Sequence, residues 1–117
     1  MIVDDHPGFR SLARKLLEAG GFEVVGEAAN GHAAVAIARV LRPELVLLDI
    51  QLPDIDGFEV TARLADGEVG PVVVLTSTRD RSDYGERVAQ SGARGFIPKA
   101  ELSGAALRAF LGGDRMG

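Results

Sequence analysis

The chain has 117 residues, enough for a single domain with one hydrophobic core. Its 46% hydrophobic and 26% charged residues are ordinary for a soluble globular protein. The net charge of −4 argues against nucleic acid as a direct ligand, because binding to phosphates requires a basic surface. The absence of cysteine excludes disulfides and thiol chemistry. Since no stretch resembles a signal peptide or a membrane span, we expect a cytoplasmic protein that does not bind membranes.

Strand-like and helix-like segments alternate along the chain, which indicates five βα units and a parallel sheet. The apolar runs at residues 45–48 and 72–75 are continuous, as expected for central strands that are buried on both faces. The predicted strands lie at residues 1–4, 23–28, 45–48, 72–75 and 95–98. We find no internal repeat or linker, so we expect one domain over residues 1–117.

Helical periodicity defines the segments between these strands. The first helix ends at Gly20, Asn30 is the predicted N-cap of the second, and Pro43 follows its end. The remaining predicted helices cover residues 58–64, 83–90 and 102–111. The expected buried faces are Phe9, Leu12, Ala13 and Leu16 in the first helix, Ala34, Ile37, Ala38 and Leu41 in the second, and Ala106, Leu107, Phe110 and Leu111 in the last.

Two segments have weak signals. The helix predicted at residues 83–90 contains Gly85, which costs about 1 kcal/mol relative to alanine inside a helix. Residues 112–117 read GGDRMG, a composition typical of a frayed tail.

Polar side chains stand at the ends of four predicted strands. Asp4 and Asp5 end the first strand, Asp49 follows the third, Thr76 ends the fourth and Lys99 follows the fifth. The carboxyl ends of parallel strands share one edge of a sheet, so we expect these side chains to converge. Three carboxylates, a hydroxyl and an ammonium in one pocket form a site for a divalent cation and a phosphoryl group.

Each of these residues also has a purely structural interpretation. Asp4 or Asp5 could cap the following helix, and Asp49 could be a turn residue. Thr76 could reflect β-propensity alone, and Lys99 could be a solvated surface lysine. The conjunction favours chemistry, because crowded carboxylates repel one another unless a hard cation such as Mg²⁺ neutralises them.

In a site of that kind, a carboxylate can be the nucleophile. Asp49 could attack phosphorus and become an acyl phosphate. The cation and Lys99 would then offset the charge on the transferring phosphoryl oxygens, and the Thr76 hydroxyl could donate to one of them.

Four segments, VDDHPGFR, LVLLDIQLPDIDGFE, VVVLTS and GARGFIPK, occur in an order that resembles the receiver domain of bacterial two-component response regulators. The resemblance covers essentially the whole chain and is greatest to the subfamily that usually carries a C-terminal helix-turn-helix. It implies a flavodoxin-like α/β fold, (βα)5, with a five-stranded parallel sheet in the order 2-1-3-4-5 and helices on both faces. It also implies a role in phosphorelay signal transduction and transcription regulation.

The resemblance gives each matching residue a role. Asp49 is the implied phosphoacceptor, which receives a phosphoryl group from the phosphohistidine of a sensor histidine kinase. Asp5 is implied to bind Mg²⁺ directly and Asp4 mostly through water, together with Asp49 and the backbone carbonyl of Gln51. The implied catalytic set consists of Asp49, Lys99 and Thr76.

Thr76 and Phe96 are the implied switch residues: a hydroxyl that also belongs to the catalytic set, and an aromatic ring whose rotamer follows phosphorylation. The implied partners are the kinase and an output domain or protein, together with a homodimer that depends on phosphorylation. Direct binding of nucleic acid or membrane by this domain is not expected. Because only the domain itself is phosphorylated and dephosphorylated, we do not expect an enzyme with an external substrate.

Three features depart from the family pattern. Only residues 1–3 precede the acidic pair, so either the start is truncated or the central strand is short. Ala100 follows Lys99 where many receivers have proline. No helix-turn-helix follows Leu111, so the chain is either a stand-alone receiver or an excised domain.

Other functions fit the sequence less well. A haloacid-dehalogenase-type phosphatase needs an acidic residue where Gln51 stands. A flavin- or nucleotide-binding module needs a phosphate-cradling loop after the first strand, where the acidic DDHPG segment would repel phosphate. The alternative within the family is a pseudo-receiver, a domain that mediates interactions without being phosphorylated. Such domains usually lack one of the five polar residues, all of which are present here.

Overall fold

The computed structural model describes residues 1–65 and 70–112. It contains five strands: β1 (Ile2–Val3), β2 (Glu27–Ala28), β3 (Leu45–Asp49), β4 (Val72–Ser77) and β5 (Gly95–Pro98). They form one sheet in the order β2-β1-β3-β4-β5, and every pair is parallel. The predicted flavodoxin-like strand order is therefore confirmed.

Five α-helices connect and follow the strands: α1 (Pro7–Ala19), α2 (Gly31–Leu41), α3 (Gly57–Leu64), α4 (Arg87–Gln90) and α5 (Gly104–Gly112). Two 3₁₀ turns, Arg81–Tyr84 and Lys99–Glu101, lie before α4 and before α5. Within residues 1–65 and 70–112, no helix is long and apolar enough to cross a membrane.

Side-chain alternation in the central strands divides the core between the two faces of the sheet. Val46 and Leu48 of β3 pack on one face with the buried residues of α2, α3 and α4. Leu47 of β3 and Val74 of β4 pack on the other face with α1 and α5. Since successive side chains of a strand point to opposite faces, a strand covered on both sides must be apolar at every position. The predicted helices on both faces are confirmed.

The second strand is shorter than predicted. The sequence predicts a strand over residues 23–28, whereas β2 has two residues because its neighbour β1 has only two. Ile2 lies opposite Glu27, and no strand continues the pairing upstream of β1. Val25 consequently remains outside the sheet, is 45% exposed, and lines a groove of about 390 Å³ with Leu41.

Two exposed leucines correct the predicted helix faces. Leu12 is 51% exposed in α1, whose buried residues are Ala13 and Leu17. Successive residues of a helix are turned by about 100°, so Leu12 lies beside the buried stripe and faces solvent. Leu41 at the end of α2 is 43% exposed, and Val35 is buried instead.

The segment at residues 83–90 is not one helix. The 3₁₀ turn Arg81–Tyr84 ends at Gly85, which has φ of 59°, and α4 begins only at Arg87. Glycine adopts this positive φ without the steric cost that a Cβ would add. Gly85 therefore interrupts the predicted helix rather than merely weakening it.

The last helix begins two residues later than predicted. Leu102 is extended, and α5 starts after Ser103, whose Oγ accepts a hydrogen bond from Ala106 N at 3.0 Å. Leu107 is fully buried, as expected for this face. Apart from Gly112, which ends α5, the predicted tail lies outside the described residues.

Two side chains hold the N-terminus of α2. Asn30 Oδ1 accepts from Ala33 N at 2.8 Å, which confirms the predicted N-cap. Asp54, in the loop between β3 and α3, accepts from the N–H groups of Gly31 and His32 at 2.8 Å each. Burial by itself would raise the pKa of Asp54, but these backbone donors outweigh it and lower the pKa to about 2. Asp54 thus ties the loop after β3 to the positive end of the α2 dipole.

We expect the contribution of Asp54 to stability to depend on pH. A carboxylate with a lowered pKa stabilises the fold above its ordinary pKa of 3.8, and this contribution is lost as pH falls through about 2. The substitution Asp54→Ala should lower the melting temperature by several degrees at pH 7. The difference in melting temperature between Asp54→Ala and the unmodified protein should become smaller between about pH 4 and pH 2. Circular dichroism during thermal unfolding measures this difference.

The matched control is Asn30→Ala, which removes a neutral cap from the same helix. Its effect on the melting temperature should stay constant over this pH range. If the difference in melting temperature for Asp54→Ala were equally constant with pH, the role assigned to the charge of the Asp54 carboxylate would be contradicted.

Candidate functional site

The carboxyl edge of the sheet carries the polar residues predicted to converge there. Asp4 follows β1, Asp49 is the last residue of β3, and Lys99 follows β5. Thr76 lies directly opposite Asp49 in the register of β3 and β4. The parallel sheet therefore brings residues that are far apart in sequence to one edge.

Three carboxylates and an imidazole form a compact cluster at this edge. One ligand atom from each of Asp4, Asp5, His6 and Asp49 lies within 4.8 Å of the others. Asp4 and Asp49 are buried, whereas Asp5 and His6 are exposed. The sequence predicts the three carboxylates and misses His6, whose Nδ1 is 3.0 Å from Asp5 Oδ1. The one signal for His6 is its position directly after the acidic pair.

Neither aspartate at the end of β1 caps α1. The N-cap residue of α1 is His6, and no side chain there accepts a hydrogen bond from the first turn. Asp4 Oδ1 instead accepts from His6 N at 2.8 Å, before the helix begins. The structural interpretation of Asp4 and Asp5 as helix caps is not supported by this geometry.

Lys99 is the cation that faces the buried carboxylates. Its Nζ lies 2.6 Å from Asp4 Oδ2, 3.2 Å from Asp49 Oδ2 and 4.4 Å from the centre of the Phe9 ring. Burial by itself would lower the pKa of Lys99, but the two carboxylates outweigh it and raise the pKa. The side chain is 12% exposed, so Lys99 is not a solvated surface lysine.

One buried oxygen of the cluster has no hydrogen-bond donor. Within the described part of the chain, Asp4 Oδ2 accepts no hydrogen bond, and its short contact with Lys99 is an ion pair outside hydrogen-bond geometry. Lys99 supplies one positive charge beside this oxygen, whereas the cluster holds the three carboxylates of Asp4, Asp5 and Asp49. Carboxylate oxygens are the ligands that Mg²⁺ prefers. The residues present therefore fit a Mg²⁺ site, with Asp4, Asp5 and Asp49 as oxygen donors.

Asp49 lies between two donors. Its Oδ1 accepts from Gln51 N at 3.0 Å, and its Oδ2 faces Lys99. Burial raises the pKa of Asp49 most, the Gln51 N–H and Lys99 lower it, and the charge of Asp4 raises it, with a result of about 6. At neutral pH the group is mainly the carboxylate, the form that a nucleophile requires. The implied role of the Gln51 carbonyl as a metal ligand stays a prediction.

The two predicted switch residues contact groups outside the cluster. Thr76 is fully buried, and its hydroxyl donates to the carbonyl oxygen of Ile97 in β5 at 2.6 Å. Phe96 is half-buried, and its ring centre is 6.2 Å from that of Tyr84. The structure thus gives the positions of Thr76 and Phe96, while their roles in switching stay predictions.

Replacing Asp49 by asparagine should stabilise the metal-free protein at neutral pH. A carboxyl group whose pKa is raised from 3.8 to about 6 destabilises the fold progressively as pH rises through that interval. Asp49→Asn removes the charge, so in EDTA at pH 7 its free energy of unfolding should be higher by about 2 kcal/mol. This corresponds to a melting temperature that is several degrees higher. Calorimetry at pH 4 and pH 7 measures this difference, which should be small at the lower pH.

Asp56→Asn is the control for this substitution. Asp56 is the N-cap of α3, outside the cluster, and asparagine is an equally good N-cap. The difference in melting temperature between Asp56→Asn and the unmodified protein should be the same at pH 4 and at pH 7. A metal-free Asp49→Asn protein that melts lower than the unmodified protein at pH 7 would show that the ion pair with Lys99 outweighs the burial of the charge.

Known proteins resemble this chain in sequence. The sequence model described as "Response regulator receiver domain" matches residues 1–110. Over 101 residues, the chain is 44% identical to a putative transcriptional regulator of Pseudomonas aeruginosa, with 86% of this chain and 49% of the relative covered. The identity to the virulence factors putative positive transcription regulator BvgA of Bordetella pertussis is also 44%, with 86% and 48% covered.

A solved structure with a similar fold belongs to the same family. The signal receiver domain of the putative response regulator NarL from Mycobacterium tuberculosis is similar at a TM-score of 0.83 and 34% identity, with 95% of this chain and 94% of that domain covered. The chain spans about half the length of the curated relatives that it matches. From the match over residues 1–110 and from these identities, the chain belongs to the receiver domains of two-component response regulators.

Proposed function

We propose that this receiver domain accepts a phosphoryl group on Asp49 from the phosphohistidine of a sensor histidine kinase, in a reaction that requires Mg²⁺. The observation that carries the proposal is the position of Lys99 between the buried carboxylates of Asp4 and Asp49. Asp5 adds a third carboxylate to the cluster. Such an excess of negative charge is unfavourable for the fold alone and suits a site for a divalent cation and a phosphoryl group.

The proposed reaction uses Asp49 as the nucleophile. One of its carboxylate oxygens attacks phosphorus, and the new O–P bond forms as the P–N bond to the kinase imidazole breaks. The electron pair of the broken bond leaves with the imidazole nitrogen, and Asp49 becomes an acyl phosphate. Lys99, which faces Asp49 Oδ2 at 3.2 Å, offsets charge on the phosphoryl oxygens. Mg²⁺, when bound, supplies further positive charge to the same oxygens.

The acyl phosphate is the signal rather than an intermediate in turnover. Water attacks its phosphorus and releases inorganic phosphate, so that the Asp49 carboxylate is restored. The domain is thus both the acceptor and the place of dephosphorylation, and we propose no enzymatic activity on an external substrate.

Thr76 supports a switch that reads the modification. Its hydroxyl donates to Ile97 O and belongs to the residue directly opposite Asp49 in the sheet. We infer that the hydroxyl turns to a phosphoryl oxygen after phosphorylation and leaves the Ile97 carbonyl. Phe96 precedes Ile97 and would then change its rotamer. Such a change shifts a population between existing conformations.

The proposed output is transcription regulation through a linked domain or a separate protein, in the cytoplasm. BvgA is named a transcription regulator, and EvgA of Escherichia coli, 31% identical over 101 residues, is named a DNA-binding transcriptional activator. This chain covers about half of each. Its net charge of −4 suggests that DNA is contacted by another domain and that this one contributes a dimer that depends on phosphorylation.

We expect one phosphoryl adduct on Asp49. After incubation with Mg²⁺ and acetyl phosphate, intact-mass measurement should show a single adduct. The adduct should be absent in Asp49→Asn and after addition of EDTA. Some receivers do not accept small donors, so the assay is paired with a phosphorylated histidine kinase of the same source.

Asp56→Asn is the matched control, since it removes a nearby carboxylate and keeps the α3 cap. It should form the adduct as the unmodified protein does. An unchanged adduct in Asp49→Asn would refute the assignment of Asp49. A protein that accepts phosphoryl groups from neither donor would favour the pseudo-receiver alternative.

Mg²⁺ should stabilise the folded protein through Asp5. A ligand that binds only the folded state raises the free energy of unfolding by about 1.4 kcal/mol when its concentration is ten times its dissociation constant. In a domain of this size, the melting temperature then rises by several degrees. Asp5→Asn should abolish most of this rise, whereas substitution of an exposed carboxylate outside the cluster, Glu18→Gln, should retain it. Calorimetry with and without Mg²⁺ measures both. A full rise in Asp5→Asn would show that Asp5 is not a ligand.

A further inference from the structure

We propose that Tyr84 is a positioning residue for the phosphorylation switch and that it acts through the hydroxyl of Ser77. Its role in signalling rests on the function proposed above. The contact between the two hydroxyls is a property of the fold and can be tested without phosphorylation.

The hydroxyl of Tyr84 pairs with a buried group next to the site. Tyr84 Oη lies 2.7 Å from Ser77 Oγ, and Ser77 is fully buried at the end of β4, directly after Thr76. Ser77 Oγ also accepts from Arg79 N at 3.0 Å. One serine hydroxyl thus joins the end of β4, the turn that follows it and the 3₁₀ turn that ends at Tyr84.

The ring of Tyr84 connects this point to the neighbouring helices. Its centre is 5.8 Å from that of Phe58 in α3, with an interplanar angle of 68°, and 6.2 Å from that of Phe96 in β5. The guanidinium carbon of Arg87 in α4 lies 4.3 Å from the centre of the Phe58 ring. A displacement of Tyr84 would therefore change the packing between α3, α4 and β5.

The segment at residues 81–90 depends on Tyr84 because it has few other anchors. No residue of the 3₁₀ turn is buried, and Val88 is the buried residue of α4. Within the described part of the chain, two side-chain hydrogen bonds join this segment to residues other than its flanking Asp80 and Ser91: the Tyr84–Ser77 pair and an exposed one from Arg87 to Asp56 at 3.3 Å. A segment with so few buried contacts opens more readily than the core.

Through these contacts, a displacement at the end of β4 can reach residues 81–90 by way of Ser77 and Tyr84 as well as through Phe96. When Thr76 turns toward a phosphoryl group on Asp49, the backbone at the end of β4 moves, and Ser77 moves with it. The hydroxyl pair passes that displacement to Tyr84 and hence to residues 81–90. Without the pair, phosphorylation would still occur, but the segment would respond weakly.

The sequence provides a specific probe for this route. Tyr84 is the one tyrosine of the chain, and there is no tryptophan, so intrinsic tyrosine fluorescence reports on Tyr84. Emission is measured before and after addition of Mg²⁺ and a phosphodonor, acetyl phosphate or the phosphorylated kinase, with intact mass followed in parallel. The proteins are the unmodified chain, Ser77→Ala and the control Ser11→Ala, which removes an exposed serine hydroxyl of α1.

We expect the adduct in all three proteins and a change in emission in the unmodified chain and in Ser11→Ala. Ser77→Ala should lose most of that change. A full emission change in Ser77→Ala, with the adduct present, would overturn the positioning role and leave the proposed function intact. Absence of the adduct from every protein with both acetyl phosphate and the phosphorylated kinase would overturn the proposed function and, with it, the signalling role of Tyr84.

Hydrogen exchange in the absence of donor tests the contact itself. Exchange at residues 81–90 should be about tenfold faster in Ser77→Ala and in Tyr84→Phe, because each removes the hydrogen bond between the two hydroxyls. The double variant should be no faster than Ser77→Ala, which already removes the pair together with the hydrogen bond from Arg79 N. Unchanged exchange, or effects that add in the double variant, would overturn the coupling between these two hydroxyls.

Discussion

The concentration of negative charge at one buried edge of the sheet is the constraint on which the rest of the structure depends. The carboxylates of Asp4, Asp5 and Asp49 lie within 4.8 Å of one another. At about 5 Å and an effective dielectric near 20, each like-charge pair costs roughly 3 kcal/mol before relaxation and screening. The pKa of Asp49, raised by burial to about 6, reflects the same opposition to charge. Lys99 offsets part of this repulsion, and the two apolar layers of the sheet must supply the stability that the site does not.

The sheet holds this edge in place with short elements. β1 has only Ile2 and Val3, yet both are buried and each pairs with β2 on one side and β3 on the other. Asp4 follows at once, so its position is fixed by two residues of strand. On the other side of the site, a Cβ on Gly57 would lie 2.7 Å from the carbonyl oxygen of Asp49, so α3 can begin against β3 only with glycine there. The short strand and this close contact therefore fix the backbone positions of Asp4 and Asp49 at the site.

Much of this arrangement could be predicted from the sequence because it follows from alternation and topology. The apolar runs that form β3 and β4 identify central strands, and parallel strands bring their carboxyl ends together, so Asp49 and Lys99 could be assigned to one site. Features that depend on a neighbour could not be predicted in this way. The length of β2 is set by β1, and the exposure of Leu12 by the angle at which α1 packs. His6 gave no periodic signal, and the contact between Ser77 and Tyr84 joins a strand end to a turn whose geometry depends on one glycine with positive φ.

The end of β4 is hydrogen-bonded to residues that pack with both helical layers of the domain. Successive residues of a strand point to opposite faces, so Thr76 and Ser77 present their hydroxyls to different sides of the sheet. Thr76 bonds to the carbonyl of Ile97, whose side chain packs with α1 and α5, and Ser77 bonds to Tyr84, which packs with Phe96 and with the α2–α4 layer. A single displacement of this strand end, caused by charge at Asp49, would therefore act on two hydrogen bonds at once. The core strands around it are too well packed to deform gradually, so the loosely anchored segment at residues 81–90 is where such a displacement can be accommodated.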